Sequence, residues 1–380
     1  MTRVHVIGAG LLGASTGLAL RRAGHEVTLA DTSPTAAALA RDLGAGELAD
    51  ATSAVPEVVV VATPPDVTPD VVVRALGQWP QAVVTDVASV KGAVLRAVRA
   101  GLADSGAEDQ LARYVGSHPM AGRERSGAIA ARADLFDGRA WVVSPHPASD
   151  PAAVGAVRSL AADTGAAVVE MGPDEHDAAV AVVSHVPQVA STLVAGRLAS
   201  VAPEALGLAG QGVRDVTRIA ASDPVLWTQI LAGNAPAVAG VLESLRDDLD
   251  RVIAALRALE TAGPAPSSAA APGTRAVLAG VLEAGNVGRA LVPGKHGAPP
   301  TPYALVEVIV PDEPGALARL LTDVGDAGVN LEELRIDHGL GQPFGLAEVA
   351  VLPAAAAASN DWGWPCPSVS IPAEASCGHC

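Results

Sequence analysis

Four groups of residues in this chain have the types and spacing for chemistry. The first is Gly8-Ala9-Gly10-Leu11-Leu12-Gly13, a GxGxxG that follows the β-branched run Val4-His5-Val6-Ile7 and opens a helical pattern reaching Arg22. In that setting Gly8 permits a tight turn, Gly10 lets the backbone approach a pyrophosphate, and Gly13 lets helix and strand pack closely. The helix start adds unpaired amides and the positive end of its dipole. Asp31, 18 positions after Gly13 at the end of a second strand pattern, suits acceptance of both ribose hydroxyls. Its charge would repel a 2′-phosphate, and Thr32, Ser33 and Pro34 supply no arginine to offset it, so NAD is favoured over NADP.

A hydride carrier needs a group at the reacting carbon. Asp86-Val87-Ala88-Ser89-Val90-Lys91 lies at the carboxyl end of a strand pattern, the edge where open α/β sheets bind ligands. Gly116-Ser117-His118-Pro119-Met120-Ala121-Gly122, followed by Arg123 and Arg125, combines one imidazole, two cations and glycines that allow close approach. Oxidation of a carbinol needs a base or acceptor on the hydroxyl as hydride leaves, and a neutral histidine such as His118 suits that near pH 7. The fourth group is split. In Ser184-His185-Val186-Pro187-Gln188 the histidine follows His176 by nine residues, and Arg214-Asp215-Val216-Thr217-Arg218-Ile219-Ala220 precedes Ser222-Asp223-Pro224 and Trp227. Asp215 and Arg218, three apart, are expected on one helix face. On local chemistry alone each has a structural alternative: His118 and His185 as core histidines, Asp215 and Arg218 as a solvated ion pair, Trp227 as core.

The elements that must position these groups can be traced. Strand patterns at 4–7, 26–30, 58–62, 82–85 and 140–143 alternate with helical stretches, which predicts a parallel sheet covered on both faces. From Asp150 onward strands thin out, and 151–163 and 175–260 read as long helices. Breaks fall at Pro203 and at Asp223-Pro224, where Asp223 suits an N-cap and Pro224 a first turn. The apolar run 178–198 is interrupted by Ser184, His185, Gln188 and Arg197, and reads as a buried helix rather than a membrane span. So apolar a helical region points to a homodimer. Residues 261–273 form a Pro/Ala/Ser/Gly linker, and 274–302 a helical connector with its helix at 275–284. Then 303–310, 315–327, 330–337 and 345–352 read as strand, helix, strand, strand.

Bulk properties exclude several classes. The formal charge of −16 disfavours nucleic acid or an anionic membrane as partner, and an anionic small substrate would need locally placed arginines. The first residues already read as a strand, not a signal segment, so the cytoplasm is the expected compartment. All three cysteines, Cys366, Cys377 and Cys380, lie in the last fifteen residues, so no disulfide framework is expected. No metal site is expected either.

The segments GAGLLG, DVASVK, GSHPMAG, SHVPQ and RDVTRIAASDPVLW, in this order, resemble the prephenate dehydrogenase family over residues 1 to about 260. The resemblance implies an α/β Rossmann domain (1–150) followed by an all-α dimerisation domain (151–260). It implies NAD-dependent oxidative decarboxylation of prephenate to 4-hydroxyphenylpyruvate, a step in tyrosine biosynthesis. By it, His118 hydrogen-bonds the C4 hydroxyl, Ser89 orients that histidine and the substrate, and Arg218 binds a substrate carboxylate. Ser184, His185, Gln188, Asp215, Trp227 and His176 would line or support the pocket. Gly8, Gly10, Leu11, Leu12, Gly13, Asp31, Thr63, Pro64 and Asp86 would hold the cofactor. Prephenate is a dianion, which a planar guanidinium binds at two points. Several members carry a second histidine (SHxPH) where this chain has the uncharged Gln188, which leaves arogenate, the transaminated form, as an alternative substrate. The β-hydroxyacid dehydrogenases rely on a lysine in their helical domain, and residues 151–260 contain none. A non-catalytic nucleotide and amino-acid sensor is the rival from another class; the presence of both His118 and Arg218 weighs against it.

Val310-Pro311-Asp312-Glu313-Pro314-Gly315-Ala316-Leu317 and Gly328-Val329-Asn330-Leu331 look similar to the start of an ACT domain, a βαββαβ amino-acid sensor. Gly315 and Asn330 fall where such domains hold an amino acid, which leaves two readings open: feedback by L-tyrosine, or a structural appendage that has lost ligand binding. The likeness ends at about Ala358. Residues 303–358 read as an incomplete, partial ACT-like α+β domain, and 359–380 as an unstructured tail of the kind a shifted reading frame produces. Cys377-Gly378-His379-Cys380 spells CxxC without the strand-to-helix setting that tunes a thiol, and no function is assigned to it.

Overall fold

The computed structural model describes residues 1–50, 52–122, 127–262, 273–293, 301–338 and 341–371. Arg123 and Arg125, most of the linker at 261–273 and the cysteines at 377 and 380 therefore lie outside the described residues. The chain divides into two compact units, 1–195 with 218–250 and 196–217 with 251–380.

The first unit opens with β1 (Arg3–Ile7), α1 (Leu11–Arg22), β2 (Glu26–Ala30), α2 (Pro34–Asp42), β3 (Glu47–Leu48), β4 (Val58–Val61), α3 (Thr68–Gln78), β5 (Val83–Asp86) and α4 (Gly92–Asp104). The five strands are parallel, in the order β3-β2-β1-β4-β5. β4 is four valines, every one buried, as a strand covered on both faces requires. The chain changes direction across the sheet between β1 and β4, and the carboxyl ends of strands at such a point form a ligand crevice.

A three-stranded sheet of β6 (Gly116–Pro119), β7 (Ala140–Ser144) and β8 (Ala167–Glu170) continues this one, with α5 (Pro151–Asp163) between β7 and β8. β6 runs antiparallel and β8 parallel to β7. The Val115 amide donates to the Val84 carbonyl at 3.0 Å and ties it to β5. β8 corrects the expectation that strands thin out after Asp150. Its four residues AVVE are mostly exposed and too short for a periodic signal. α5 begins at Pro151, with the Asp150 carboxylate accepting from the Ala152 amide at 2.8 Å.

Helices follow: α6 (Pro173–Val180), one π turn at Ala181–His185, α7 (Val186–Leu198), α8 (Pro203–Leu206), α9 (Gln211–Thr217), a 3₁₀ turn at Arg218–Ala220, α10 (Pro224–Gly233) and α11 (Ala235–Ala262). Asp223 caps α10 by accepting from the Val225 amide at 2.9 Å, as its position before Pro224 predicts. The run Pro173–Leu198 is long and apolar enough to cross a membrane. Its burial corrects the reading of a buried apolar helix. The inward face carries His176, Asp177, His185, Gln188 and Ser191, whereas Val182, Val183 and Leu193 are more than half exposed. His176, Asp177, His185 and Gln188 are hydrogen-bonded inside while large apolar side chains are left outside, which marks a helix that is not yet fully covered.

The second unit takes α8, α9 and the end of α11 from residue 251, and adds α12 (Thr274–Ala290), β9 (Ala304–Pro311), α13 (Ala316–Asp326), β10 (Leu331–His338), β11 (Phe344–Val351), α14 (Pro353–Ala356), a 3₁₀ turn at Ala357–Trp362 and β12 (Ser368–Ser370). The sheet is antiparallel, in the order β10-β11-β9-β12. The strand-helix-strand-strand reading of 303–352 is thus matched, and a short helix and a fourth strand complete a βαββαβ order. This corrects the expectation of an unstructured end for residues 359–371. Trp362 is buried among Val306, Leu320 and Val349, and the Trp364 indole donates to the Asp323 carboxylate at 2.7 Å. Two indoles anchor a segment that has no periodicity.

Candidate active site

The glycine turn sits between β1 and α1, against the end of β4. Gly8 has φ of +105°, and a Cβ there would run into the Ala62 carbonyl. A Cβ on Gly13 would overlap the Gly8 carbonyl, while one on Gly10 would meet nothing within 4 Å. Two glycines therefore serve packing, and the third leaves room above the amides that open α1. Leu11 and Leu12 pack on the core beneath. The Asp31 carboxylate accepts from the Ala9 amide at 2.6 Å and the Ser33 amide at 2.7 Å, which fixes it beside the turn. The loop at Thr63 and Pro64 is closed by Thr68, whose hydroxyl donates to the Pro64 carbonyl at 2.9 Å. Open space above the amides that start α1, with a carboxylate held beside the turn at the end of β2, fits a dinucleotide.

Asp86 needs correction. Expected on the cofactor, it is fully enclosed, and its carboxylate takes the Lys91 ammonium, the Tyr114 hydroxyl at 2.7 Å and the Ala88 amide at 2.9 Å. Burial pushes the Lys91 ammonium down and Asp86 works against that shift; burial and Asp86 both push the Tyr114 phenol up. Lys91 also donates to the Ser117 carbonyl at 2.6 Å, so this pair fixes the strand that carries His118.

His118 is buried on β6, with Nδ1 2.9 Å from His176 Nε2. His176 Nδ1 lies 2.8 Å from Asp177 Oδ1. Asp177 accepts the Lys91 amide at 2.9 Å and the Gly92 amide at 2.8 Å, at the start of α4. Burial holds the His118 imidazole well below its usual pKa, and the cationic forms of His176, Lys91 and His185 add to this. His118 is therefore a neutral imidazole at pH 7. Ser89 does not orient it here: half-buried, its hydroxyl makes no hydrogen bond among the described residues, and His176 holds the ring instead.

His185, on the π turn, is buried with its edge to Trp227 at 6.0 Å and with Asn234 Nδ2 3.2 Å from Nδ1. Burial pushes it down to about 4, against the pull of Asp177. Ser184 is half-buried on the same turn. The Gln188 amide donates to the Ser222 hydroxyl at 2.8 Å. Asp215 is exposed and accepts from Gln211 at 2.8 Å. Asp215 lies in α9 and Arg218 opens the 3₁₀ turn that follows it directly, and no ion pair joins the two among the described residues. Arg218 is exposed, without a hydrogen bond or ion pair among the described residues. Sequence reasoning missed Asp177 and Asn234. The only local signal was a carboxylate beside His176; their other partners lie about 50 to 90 residues away.

A Rossmann-type cradle and a buried neutral imidazole carried by the same compact unit define a dinucleotide-dependent oxidoreductase. Residues 16–170 match the family model described as prephenate dehydrogenase, nucleotide-binding domain, and 172–263 the one described as prephenate dehydrogenase, dimerization domain. The chain is 38% identical over 350 residues to the probable prephenate dehydrogenase NovF of Streptomyces niveus, spanning 92% of this chain and 93% of that protein. It is 34% identical to prephenate dehydrogenase of Bacillus subtilis, over 64% of this chain and 67% of the relative. It is also similar to the crystal structure of prephenate dehydrogenase from A. aeolicus in complex with hydroxyphenyl propionate and NAD+ (TM-score 0.63, 27% identity, 76% of this chain and 97% of that one). Synechocystis arogenate dehydrogenase is a further structural neighbour (TM-score 0.59, 25% identity, 75% and 99%). The chain belongs to the prephenate dehydrogenase family.

Proposed function

We propose that this protein oxidises prephenate with NAD, releasing CO₂ and 4-hydroxyphenylpyruvate. The observation that carries the site assignment is the buried neutral His118, tied through Nδ1 to His176 so that Nε2 remains for the substrate. NAD, when bound, would supply the hydride acceptor for C4 of the ring. His118 Nε2 accepts the C4 hydroxyl proton as the carbonyl forms; when the ring carboxylate leaves as CO₂, its bonding pair aromatises the ring and the oxygen recovers a proton. Aromatisation drives that loss, so the protein's work is positioning and one proton. Gly8, Gly10, Gly13, the α1 amides and Asp31 hold the dinucleotide, and the unpaired Arg218 takes a carboxylate of the dianion.

The test is reduction of NAD, followed by its absorbance, with prephenate and then arogenate as substrates. His118→Asn lowers kcat by about 10²- to 10⁴-fold with NAD affinity kept. No turnover with either substrate, or an active His118→Asn, overturns the reading. Arogenate is the second reading, because Gln188, bonded to Ser222, presents no charge where several relatives carry histidine; a higher kcat/KM for arogenate than for prephenate establishes it.

The active form is a homodimer in the cytoplasm, its contact made in part through Val182, Val183 and Leu193; the matched dimerisation domain and their exposure support this. The βαββαβ unit serves as an ACT-like sensor, with L-tyrosine held near Gly315 (φ +85°) and Asn330. Calorimetry with tyrosine tests it, and absence of heat together with unchanged kinetics refutes it.

A further inference from the structure

We infer that Asp177, acting through His176, sets the tautomer of His118 and so decides whether Nε2 can take the substrate proton. The inference rests on the assignment of His118 to the substrate hydroxyl and adds two positioning residues to it. Three contacts in series carry it: Asp177 Oδ1 to His176 Nδ1 at 2.8 Å, His176 Nε2 to His118 Nδ1 at 2.9 Å, and the Asp177 carboxylate on the Lys91 and Gly92 amides at 2.9 and 2.8 Å.

The logic is one of donors and acceptors. An ionised carboxylate only accepts, so His176 Nδ1 carries the hydrogen and its Nε2 is a lone pair. That lone pair must receive a hydrogen from His118 Nδ1. A neutral His118 then has a bare Nε2, the atom a C4 hydroxyl needs. Reversing any one bond reverses the rest, and His118 would present N–H to a hydroxyl whose proton must leave.

Asp177 holds the fixed end. Burial acts to raise its carboxyl, but the bonds from His176, Lys91 and Gly92 together outweigh this and keep it below the usual range. Two of those donors are amides at the start of the thirteen-residue α4, where a helix favours negative charge. The Asn234 side chain donates to the Asp177 carbonyl at 2.7 Å and holds the same residue from behind. The His-Asp pair thus does for His118 what a carboxylate does for the histidine of a serine protease triad, at one imidazole's remove.

The experiment compares Asp177→Asn with His176→Gln in the full chain. An asparagine amide can donate to His176 Nδ1, which permits the reversed chain, so kcat falls about 10²- to 10⁴-fold while KM for NAD stays within about threefold. A glutamine at 176 accepts with Oε1 and donates with Nε2, preserving the polarity. His176→Gln therefore loses at least about tenfold less kcat than Asp177→Asn. Equal losses in the two variants overturn the inference. Because Asp177→Asn also loosens the start of α4, the wild-type protein supplies a second measurement. With ¹⁵N-labelled histidine and NAD bound, the His118 signals, identified by their loss in His118→Asn, report a protonated Nδ1 and a bare Nε2. A protonated Nε2 refutes the relay alone, whereas an active His118→Asn refutes the site assignment beneath it.

Discussion

Removing the Lys91 ammonium would leave a charged carboxylate in a fully enclosed site. The side chains of Lys91 and Asp86 are 1% and 0% exposed, so water supplies neither with a replacement partner. After Lys91→Met, Asp86 keeps the Tyr114 hydroxyl and the Ala88 amide, and the Ser117 carbonyl loses its donor. Breaking one side of a buried pair costs about 3–5 kcal/mol; the two remaining donors place Lys91→Met at the lower end, about 3 kcal/mol. Asp86→Asn leaves the ammonium hydrogen-bonded to an amide oxygen and the Ser117 carbonyl but without a counter-charge, and costs a similar amount. The double variant replaces both charges, so its loss falls short of the sum of the singles by at least about 2 kcal/mol. Amide hydrogen exchange in β5 and β6 reads this locally, which a chain of several units requires. Additive losses, or a single variant costing under about 1 kcal/mol, would show that the pair does not hold β6 in place.

Three further outcomes follow from the geometry. Gly13→Ala forces a Cβ into the Gly8 carbonyl and lowers both stability and NAD affinity, whereas Gly10→Ala, with open space around it, keeps stability and lowers affinity alone; unfolding midpoints and NAD titration separate the two. His5 and His185 are both pushed from 6.5 to about 4 by burial, so the unfolded chain takes up their protons first. Stability is then full above about pH 7 and is lost as pH falls towards 4, by up to about 3 kcal/mol for each histidine; urea midpoints independent of pH over that range would contradict it. Trp362→Ala empties a core position and costs the second unit about 3–5 kcal/mol, read as faster proteolysis of that unit; an unchanged cleavage rate would mean the segment after Ala358 adds nothing to it.

The parallel sheet was legible because β1, β2, β4 and β5 are short β-branched runs separated by helical patterns, and the glycine turn because its spacing follows from backbone sterics. β6 was not, since glycine and proline in GSHP mask a strand whose pairing with β7 is set by long-range contact. Asp86 was placed on the cofactor because it ends a strand at the right edge. What encloses it is Tyr114, 28 residues on, together with a lysine whose own burial no local pattern shows. His118, His176 and His185 were legible as residue types, but the bonds that order them depend on α6 meeting the start of α4, 85 residues earlier in the chain. The end of the second unit misled for a simpler reason: two tryptophans can anchor a strand without any repeat in the sequence.

The wide turn at Ala181–His185 gives the segment from Pro173 to Leu198 a length that matters more than its composition. A π turn holds one residue more than regular winding over the same rotation, so deleting a single residue there would let the segment wind as plain α-helix and keep Val186 onward on its present face relative to His176. Gln188 would keep its place against Ser222, while His185, which stands within the turn, would be drawn away from Trp227 and Asn234. A deletion within the regular turns of α7 is the harsher change, because plain winding advances about 100° per residue and everything beyond the gap would turn by that angle.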